Sequence, residues 1–450
     1  MEDQITLLMV PFPSHGHLNP LLHLSHLMIF SYNIPIHFIS THTHQPKIHI
    51  HGYGSISSTN KIHFHDFQLP SLPLLEASTH LRQPIYNLLI KLAKNFRRII
   101  VIHDLIMSNV VQDFKLLSNV ETYVFNPISA FTYFLGVWES IPKEMKPFEL
   151  DLNDVLECSI PSSKGCVTPD VLEFTMNQYK YLGSESGWVY NTSRILEGKY
   201  VHLLEMLSSR RLGVKHFAFG PFNPVEFKGQ LLLDHSADNS EENRHECLKW
   251  LDEQEKDSVI YIAFGSTTSL KNDQIQELAN GLERSMEKFL WVMHEVEENS
   301  KIKRFHDLEK FEERVKGRGI IVRDWAPQLE ILAHSSIGGF ISHCGWNSCI
   351  ESISMGVPIV AWPIQYDQPR NATLICGVLK VGMMVRDWEH HEQLVMSNTI
   401  EKVVKMLMKS KEGNEMRQRS AMLGEILRGS IGEGGVSSVE REAFFAHINR

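Results

Sequence analysis

Residues 325–368 concentrate side chains that could bind a nucleotide. Within them, residues 342–348 read Ser-His-Cys-Gly-Trp-Asn-Ser after a short apolar run, and we interpret them as the junction between a strand and a helix. Gly345 permits a close backbone approach, and a helix start offers unpaired N–H groups and the positive end of a dipole. His343 and Ser348 add side-chain donors. The junction therefore predicts a phosphate-binding site that needs no lysine.

The side chains around this junction suit a base, a ribose and further hydroxyl groups. Glu351 follows Asn347 by four positions, so the two share a helix face, and an acid there can accept hydrogen bonds from ribose hydroxyls. Trp325 offers a flat face for a base. Asp367 and Gln368 close the stretch with a carboxylate and an amide, which suit sugar hydroxyls. Taken singly, Glu351 could be an exposed helix acid and Asp367 a helix cap.

A candidate general base, His17, lies near the start of the chain. It follows residues 5–11, which predict a buried strand, and Asp104 ends another such strand. Ligands of parallel sheets bind at the carboxyl ends of strands, so both side chains are expected at one ligand site. A neutral imidazole can accept a proton, and a carboxylate on its far nitrogen fixes the tautomer. The residues alone leave open that His17 and Asp104 only cap helices.

Residues 325–368 resemble the signature box of plant family-1 UDP-glycosyltransferases. The match spans 368 − 325 + 1 = 44 positions, which is the length of that box. Trp-Ala-Pro-Gln, His-Cys-Gly-Trp-Asn-Ser, Glu351, Gly-Val-Pro and the closing Asp-Gln stand at the family's spacing. Two positions depart from the pattern, because Cys349 stands where Thr is usual and Ser352 where Gly is usual. Neither is expected to contact the donor.

The resemblance implies an enzyme that uses a UDP-sugar as co-substrate and needs neither a cofactor nor a metal. Gly16-His17-Leu-Asn-Pro matches the family's histidine motif, and His103-Asp104 matches its acidic partner. His17 would then deprotonate an acceptor hydroxyl, and the sugar would be transferred with inversion. Trp362 would be either a donor contact or a core residue. The predicted donor-binding residues are Ser266, Trp325, Ala326, Gln328, His343, Gly345, Trp346, Asn347, Ser348, Glu351, Trp362, Asp367 and Gln368.

The resemblance also limits which sugar donors and which acceptor molecules are expected. Gln368 and Trp346 usually accompany UDP-glucose in the family, although users of UDP-xylose share both. Nearly the whole chain is similar to the zeatin O-glycosyltransferase branch, for example in residues 80–84 and 190–194. That similarity implies a small planar hydroxylated acceptor, either a cytokinin or a flavonoid-type phenol, with C-glycosylation of a phenol as an alternative. Aromatic side chains predict an apolar acceptor pocket, and the residues selected for it are Phe131, Tyr133 and Trp138.

The elements that must position these side chains alternate between strands and helices, which is typical of parallel, doubly wound sheets. Residues 120–190 are expected to be less regular. The predicted strands are 5–11, 34–40, 97–104, 258–266, 288–293 and 319–323. One predicted helix begins near residue 17, and the others span 77–95, 272–285, 393–408, 413–428 and 437–447.

Two such α/β series predict two domains. We expect a Rossmann-like acceptor domain at 1–222, a linker at 223–245, a Rossmann-like UDP-sugar domain at 246–430 and a last helix at 431–450. The resemblance implies the GT-B fold class, in which two domains face a central cleft and the last helix packs on the first domain.

Composition argues against several other partners and locations. The 450 residues carry a net charge of −9, with 43% apolar and 22% charged residues, which is typical of a soluble globular protein and disfavours nucleic acid. An acidic start and the lack of an 18-residue apolar run predict neither a secretory signal nor a membrane span. Six cysteines without metal spacing predict reduced thiols and a cytoplasmic location. We expect a monomer.

Rival functions have weaker support in the sequence. A nicotinamide-dependent oxidoreductase needs Gly-x-Gly-x-x-Gly after a strand, and a P-loop kinase needs Gly-x-x-x-x-Gly-Lys-Ser/Thr; the first predicted strand is followed instead by Phe-Pro-Ser-His-Gly-His-Leu. A non-catalytic nucleotide-sugar binder would be expected to lack His17 or Asp104. The histidines at 42, 44, 49 and 51 are interpreted as part of a solvated loop, because no acidic or cysteine ligands accompany them at set spacing.

Overall fold

The computed structural model describes residues 2–41, 61–147, 160–161, 165–208, 214–224, 226–227, 230–231, 244–266, 268, 270–293, 309–323 and 325–450. These residues form two compact units. The first unit contains the described residues up to 147, from 167 to 231 and from 429 to 450. The second contains those at 160–161, 165–166 and 244–428. The histidines at 42, 44, 49 and 51 lie outside the described residues.

The first unit is built on a seven-stranded parallel sheet. Its strands are β1 (Glu2–Val10), β2 (Ile36–Thr41), β3 (Ile62–Phe67), β4 (Phe96–Asp104), β5 (Val120–Asn126), β6 (Gly187–Tyr190) and β7 (Lys215–Ala218). They pair in the order β3-β2-β1-β4-β5-β6-β7. Parallel sheets are covered on both faces, so their central strands are mostly apolar. Residues 99–102 of β4 illustrate this, since all four are fully buried.

The first unit also contains helices and one hairpin among its described residues. The hairpin consists of β8 (Glu226–Phe227) and β9 (Gln230–Leu231). The helices are α1 (His15–Tyr32), α2 (Leu74–Thr79), α3 (Arg82–Asn95), α4 (Ser108–Val111), α5 (Ala130–Ser140), α6 (Pro169–Gln178) and α7 (Arg194–Ser208). Short 3₁₀ turns lie at Leu105–Met107, Gln112–Leu116, Lys143–Met145 and Tyr179–Tyr181.

The second unit contains a six-stranded parallel sheet. Its strands are β10 (Val259–Ala263), β11 (Lys288–Val292), β12 (Gly319–Val322), β13 (Ile337–Ser342), β14 (Ile359–Ala361) and β15 (Gly382–Met384), in the order β12-β11-β10-β13-β14-β15. Its helices are α8 (Glu246–Asp252), α9 (Asn272–Ser285), α10 (Gln328–Ala333), α11 (Trp346–Met355), α12 (Gln368–Thr373), α13 (Ser397–Lys409) and α14 (Lys411–Ile431). A π-helical turn, Leu374–Val378, follows α12.

The last helix, α15 (Val436–Ile448), belongs to the first unit. Phe444 and Ile448 on it are fully buried in the core that β1, α1 and β2 also line. The carboxylate of Glu440 accepts hydrogen bonds from Nε of Arg194 at 2.9 Å and from the backbone N–H of Ala218 at 2.8 Å. Residues 436–448 thus complete the core of the first unit.

The predicted doubly wound class is confirmed for both units, and two local expectations are wrong. Residues 77–95 form two helices, because the chain turns at residues 80–81 between α2 and α3. The described parts of residues 120–190 are more regular than expected, since they contain β5, α5, α6 and β6. Aromatic residues of this stretch lie on buried faces of these elements, as Phe125 and Phe134 illustrate. No helix in the described ranges is long and apolar enough to span a membrane.

Candidate active site

The order of the first sheet reverses between β1 and β4, and ligands of open α/β sheets bind at the carboxyl ends of strands at such a point. His17, in the first turn of α1, meets Asp104, the last residue of β4, at this place. Nδ1 of His17 lies 2.6 Å from Oδ2 of Asp104. The side chain of Asp104 is fully buried, whereas that of His17 is 26% exposed. The pair therefore combines a buried carboxylate with an imidazole that a small molecule can reach.

Asp104 also caps a helix, as one interpretation of the sequence held. Its Oδ1 accepts a hydrogen bond from the backbone N–H of Ile106 at 3.0 Å, at the start of the 3₁₀ turn Leu105–Met107. The two carboxylate oxygens thus have separate partners. A carboxylate beside Nδ1 of His17 holds the proton on that nitrogen and places the basic lone pair on Nε2. Such an imidazole can take a proton from a hydroxyl group.

The three residues predicted to contact an acceptor lie on α5, and the structure buries all of them. The exposed fractions of Phe131, Tyr133 and Trp138 are 0%, 7% and 2%. The ring of Phe131 packs on Tyr200 and that of Tyr133 on Trp188, with centroid distances of 4.9 and 5.0 Å. In this structure they are core residues of the first unit. Their contact with an acceptor stays a prediction.

The second sheet reverses its order between β10 and β13, and the predicted phosphate junction follows β13. β13 ends at Ser342, and α11 begins at Trp346, so both lie within the predicted junction at 342–348. The intervening turn includes Cys344 in the left-handed conformation, with φ of 64°. Gly345 is the N-cap residue and supplies no side-chain cap to α11. The positive end of this helix suits an anion.

His343 lies between two glycines at this turn. A Cβ on Gly265 or Gly345 would lie 2.6 or 2.5 Å from Nε2 of His343, so only glycine leaves room for the imidazole. Burial lowers the pKa of His343 to about 4, so the ring is neutral at pH 7. Among the residues that the structure describes, no hydrogen-bond partner exists for its buried Nδ1. A diphosphate oxygen would satisfy this group, and Ser266, which is exposed, adds a hydroxyl next to Gly265.

Gln328, the first residue of α10, connects the residues predicted to hold the ribose. Its Nε2 donates to Oε2 of Glu351 at 2.7 Å and to Oγ of Ser348 at 3.0 Å. Its Oε1 accepts from the hydroxyl of Tyr261 at 3.3 Å. Burial raises the pKa of Glu351 to about 7, and the hydrogen bond from Gln328 opposes that shift. Above this pH, Glu351 is a carboxylate that can accept hydrogen bonds from ribose hydroxyls.

The predicted tryptophans differ in exposure. Trp325 is 39% exposed, as a platform for a base requires, and its ring meets His245 edge to face at 6.4 Å. Trp362 is 1% exposed and packs edge to face on Phe264 at 5.4 Å, which favours its interpretation as a core residue. Trp346 is 3% exposed. Of the remaining predicted donor residues, Ala326 is buried and Asn347 is partly exposed.

The end of the signature stretch is held by side-chain hydrogen bonds. Nδ2 of Asn371 donates to Oδ2 of Asp367 at 2.6 Å and to the carbonyl oxygen of Cys344 at 3.0 Å. Gln368 is 4% exposed, and its Oε1 accepts from two backbone N–H groups of the preceding turn at 2.8 and 2.9 Å. Asn371 therefore connects the turn at Cys344, which was predicted to bind phosphate, to the carboxylate of Asp367, which was predicted to bind the sugar.

Three residues of this network were missed in the sequence. Asn371 follows Asp367 by four positions on one helix, and that spacing could have revealed the pair. Gly265 is separated from His343 by 78 positions, and only the adjacency of β10 and β13 brings them together. Tyr261 lies within an apolar strand and carries no local signal. All the predicted donor residues lie in the second unit, and His17 and Asp104 lie in the first.

Comparisons with known proteins identify the family of this chain. Residues 3–224 match the family model described as "Glycosyltransferase, N-terminal domain", and residues 212–420 match "UDP-glucoronosyl and UDP-glucosyl transferase". Zeatin O-glucosyltransferase of Phaseolus lunatus is 44% identical over 472 residues, which cover 100% of this chain and 98% of that protein. Zeatin O-xylosyltransferase of Phaseolus vulgaris is 43% identical, with coverage of 100% and 99%.

Solved structures show the same fold. The Phytolacca americana UGT2 complex with UDP-2fluoro-glucose and pterostilbene has a TM-score of 0.76 at 25% identity, covering 99% of this chain and 100% of that one. A UDP-glucosyltransferase of Polygonum tinctorium has a TM-score of 0.77 at 24% identity, with coverage of 100% and 99%.

These matches define the class, because the fold is GT-B and the whole chain aligns with UDP-sugar-dependent enzymes. The chain belongs to the family of UDP-glucoronosyl and UDP-glucosyl transferases, within the branch that contains the zeatin O-glycosyltransferases. It is therefore a glycosyltransferase, and the predicted class of enzyme is confirmed.

Proposed function

We propose that this enzyme transfers a hexose, with glucose preferred, from a UDP-sugar to a hydroxyl group of a small planar acceptor such as a cytokinin or a flavonoid-type phenol. The acceptor class is supported by two relatives named for zeatin and by the structural neighbour solved with pterostilbene. Gln368 and Trp346 usually accompany UDP-glucose in the family, which supports glucose as the transferred sugar. UDP-xylose is the second candidate donor, because one of the two relatives is named a xylosyltransferase.

The contact of 2.6 Å between His17 and Asp104 carries the proposal. In the proposed reaction, Nε2 of His17 takes the proton of the acceptor hydroxyl. The hydroxyl oxygen then forms a bond to C1 of the sugar, while the bond from C1 to the phosphate oxygen breaks and UDP leaves with that electron pair. The configuration at C1 inverts. Asp104 stabilises the imidazolium that results, and a base of this kind contributes about 10²- to 10⁴-fold in rate.

The departing diphosphate carries the developing negative charge. The N-terminus of α11, the imidazole of His343 and the hydroxyl of Ser266 are the groups proposed to stabilise it. Preorganised donors of this kind contribute strongly in a site from which water is excluded. We propose that they make a divalent cation unnecessary, so activity should persist in excess EDTA.

Release of UDP tests the function directly. Wild-type protein is incubated with UDP-glucose or UDP-xylose and with trans-zeatin or a flavonoid, and UDP and the glycoside are quantified. We expect transfer from UDP-glucose, a glycoside that hot acid cleaves, and a kcat about 10²- to 10⁴-fold lower for His17→Ala. An acid-stable product would instead show C-glycosylation.

His202→Ala is the matched control, since His202 is an exposed histidine of the same unit. It should keep wild-type activity. His17→Ala should bind UDP as the wild type does, because the donor residues lie in the other unit. Unchanged turnover in His17→Ala would contradict the proposed base, and UDP binding without any transfer would favour a non-catalytic binder.

We also propose that the enzyme acts in the cytoplasm as a monomer. The described cysteines, at positions 166, 247, 344, 349 and 376, are thiols rather than disulfides, which is typical of a reducing compartment. Localisation of a fluorescent fusion tests the first statement. Light scattering coupled to size-exclusion chromatography tests the second, and a mass near 51.7 kDa is expected.

A further inference from the structure

The amide of Gln328 has one favourable orientation. Its nitrogen faces the carboxylate of Glu351 and the hydroxyl of Ser348, and its oxygen faces the phenol of Tyr261. A flipped amide would place its oxygen 2.7 Å from a carboxylate oxygen, which is repulsive, and would place two N–H groups against the phenol. The partners on both sides therefore select a single geometry.

Tyr261 is well placed to impose that geometry. It is 1% exposed, lies on β10, and its ring stacks on Phe340 of β13 with a centroid distance of 4.8 Å and an interplanar angle of 15°. Both strands are central in the second sheet. Burial, followed by the nearby Glu351, raises the pKa of Tyr261 well above its usual value, so the phenol keeps its proton and donates.

We propose that Tyr261 is a positioning residue for ribose recognition, because its hydroxyl orients Gln328 and through it the carboxylate of Glu351. Gln328 occupies Oε2 of Glu351, which fixes the plane of the carboxylate and the direction in which Oε1 points. A ribose offers two vicinal hydroxyls as donors, and a carboxylate of fixed plane accepts from them with better geometry than a rotating one. This inference rests on the proposed binding of a UDP-sugar in the second unit.

Tyr261→Phe tests the inference, since it removes only the hydroxyl and keeps the ring on Phe340. Dissociation constants are measured by calorimetry for UDP and for 2′,3′-dideoxy-UDP, which lacks both ribose hydroxyls. The wild type should bind UDP more tightly than the dideoxy compound. In Tyr261→Phe we expect the affinity for UDP to fall about 3- to 10-fold and the affinity for the dideoxy compound to stay within about twofold.

Tyr190→Phe is the matched control. Tyr190 is also 1% exposed, and its hydroxyl pairs with Nδ1 of His216 at 2.9 Å in the first unit. Its loss should lower thermal stability as the loss of any buried hydroxyl does, without changing the preference for UDP over the dideoxy compound. A merely structural effect of Tyr261→Phe would resemble this control.

Gln328→Leu provides a second variant, because Gln328 is only partly buried and its loss removes the connection itself. It should reduce the preference for UDP at least as much as Tyr261→Phe, and the double variant should show no further loss. Additive losses, or an unchanged preference in Tyr261→Phe, would overturn the inference. Wild-type protein that binds neither compound would instead overturn the proposed function.

Discussion

At the scale of single residues, the proposed chemistry depends on a carboxylate, that of Asp104, which has two hydrogen-bond partners. His17 and Asp104 are 87 positions apart in the sequence, and Asp104 uses one oxygen for His17 and the other for a backbone N–H. The carboxylate is thereby held in one orientation while it holds the imidazole. A capping role and a catalytic role are compatible in one side chain because a carboxylate has two acceptor atoms.

Asp104→Asn should reduce catalysis without disturbing the fold. The amide oxygen of the new residue can keep the bond from Ile106, and its nitrogen then donates to Nδ1 of His17. The proton of the imidazole would move to Nε2, which can no longer accept one. We expect kcat to fall about 10²- to 10⁴-fold with the dissociation constant of UDP unchanged. A decrease of less than about fivefold would mean that Asp104 is only a cap.

The affinity for UDP should depend on pH through Glu351. Its pKa is raised to about 7 by burial, so it is mostly protonated at pH 6 and mostly ionised at pH 8. A protonated carboxyl accepts ribose hydroxyls less well, so the dissociation constant of UDP should rise as pH falls. Full dependence on the ionised form gives about a tenfold change between pH 8 and pH 6.

Glu351→Gln separates this effect from the titration of UDP itself, because the variant has no carboxylate at this position. Calorimetric titrations at several pH values should show a smaller dependence for the variant than for the wild type. Parallel curves would assign the whole effect to the phosphate groups of UDP.

At the scale of elements, the start of α5 is held from two sides. Oγ of Ser129 accepts from the N–H of Thr132 at 3.1 Å, and the fully buried carboxylate of Glu197 accepts from the N–H groups of Ala130 and Phe131 at 3.1 and 2.8 Å. Glu197 itself leaves the helical conformation within α7, with φ of −130° and ψ of 20°. The kink directs an acid at the N-terminus of the helix that carries the predicted acceptor residues.

Glu197 should make the first unit less stable as pH rises. Burial raises its pKa from 4.5 to about 7, although the backbone hydrogen bonds oppose the shift. Between pH 4.5 and pH 7, the folded state binds a proton on Glu197 that the unfolded state lacks. The contribution of this proton to the free energy of unfolding is therefore full below pH 4.5 and is lost as pH rises through 7. A difference of 7 − 4.5 units corresponds to about 3 kcal/mol in the free energy of unfolding.

Glu197→Gln should therefore flatten the decline of the melting temperature between pH 5 and pH 8, as followed by scanning calorimetry. Glu139→Gln is the control, because Glu139 is an exposed acid on α5 itself. That variant should keep the wild-type dependence on pH. If Glu197→Gln also kept the wild-type dependence on pH, the pKa of Glu197 would not be raised in the folded state as proposed.

At the scale of the whole molecule, the two units are completed by different parts of the chain. The first unit takes residues 429–450 from the far end of the sequence, and the second takes residues 165–166 from the middle of the first series. The carbonyl oxygen of Cys166 accepts from the N–H of Tyr366 at 2.6 Å, next to the predicted sugar-binding residues. The first unit thus includes a segment that follows the second series in the chain, and the second unit includes a segment that lies within the first series.

Phe444→Ala should destabilise the first unit selectively. Phe444 is fully buried, with centroid distances of 5.0, 5.3 and 5.5 Å to Phe217, Phe219 and Tyr123. Removal of such a ring costs about 3–5 kcal/mol. Scanning calorimetry should show a lower melting temperature for the first unit, while UDP still raises that of the second.

Val439→Ala is the control on the same helix, because Val439 is 54% exposed. It should change the free energy of unfolding by less than about 0.5 kcal/mol. Equal losses from the two variants would show that α15 is not packed as described.

Much of the fold could be predicted because the signals are local. The strand before His17, the strand that ends at Asp104 and the junction at Gly345 each appear as an apolar run followed by polar residues. Exposure was harder to predict. Trp325 and Trp362 have the same chemistry, yet one is 39% and the other 1% exposed, because the two sites pack differently. The burial of Phe131, Tyr133 and Trp138 on α5 was equally hard to predict, because it depends on packing against distant segments.

The sequence by itself determined the alternation of strands and helices, the turn between β13 and α11 and the class of enzyme, because periodicity and fixed spacing are properties of neighbouring residues. Only the tertiary structure decided that β1 lies beside β4 and β10 beside β13. Those adjacencies bring together Asp104 and His17, a pair that the resemblance implies, and Gly265 and His343, a pair that the sequence did not indicate. Strand order and side-chain partners are set by packing between distant segments, which no local pattern encodes.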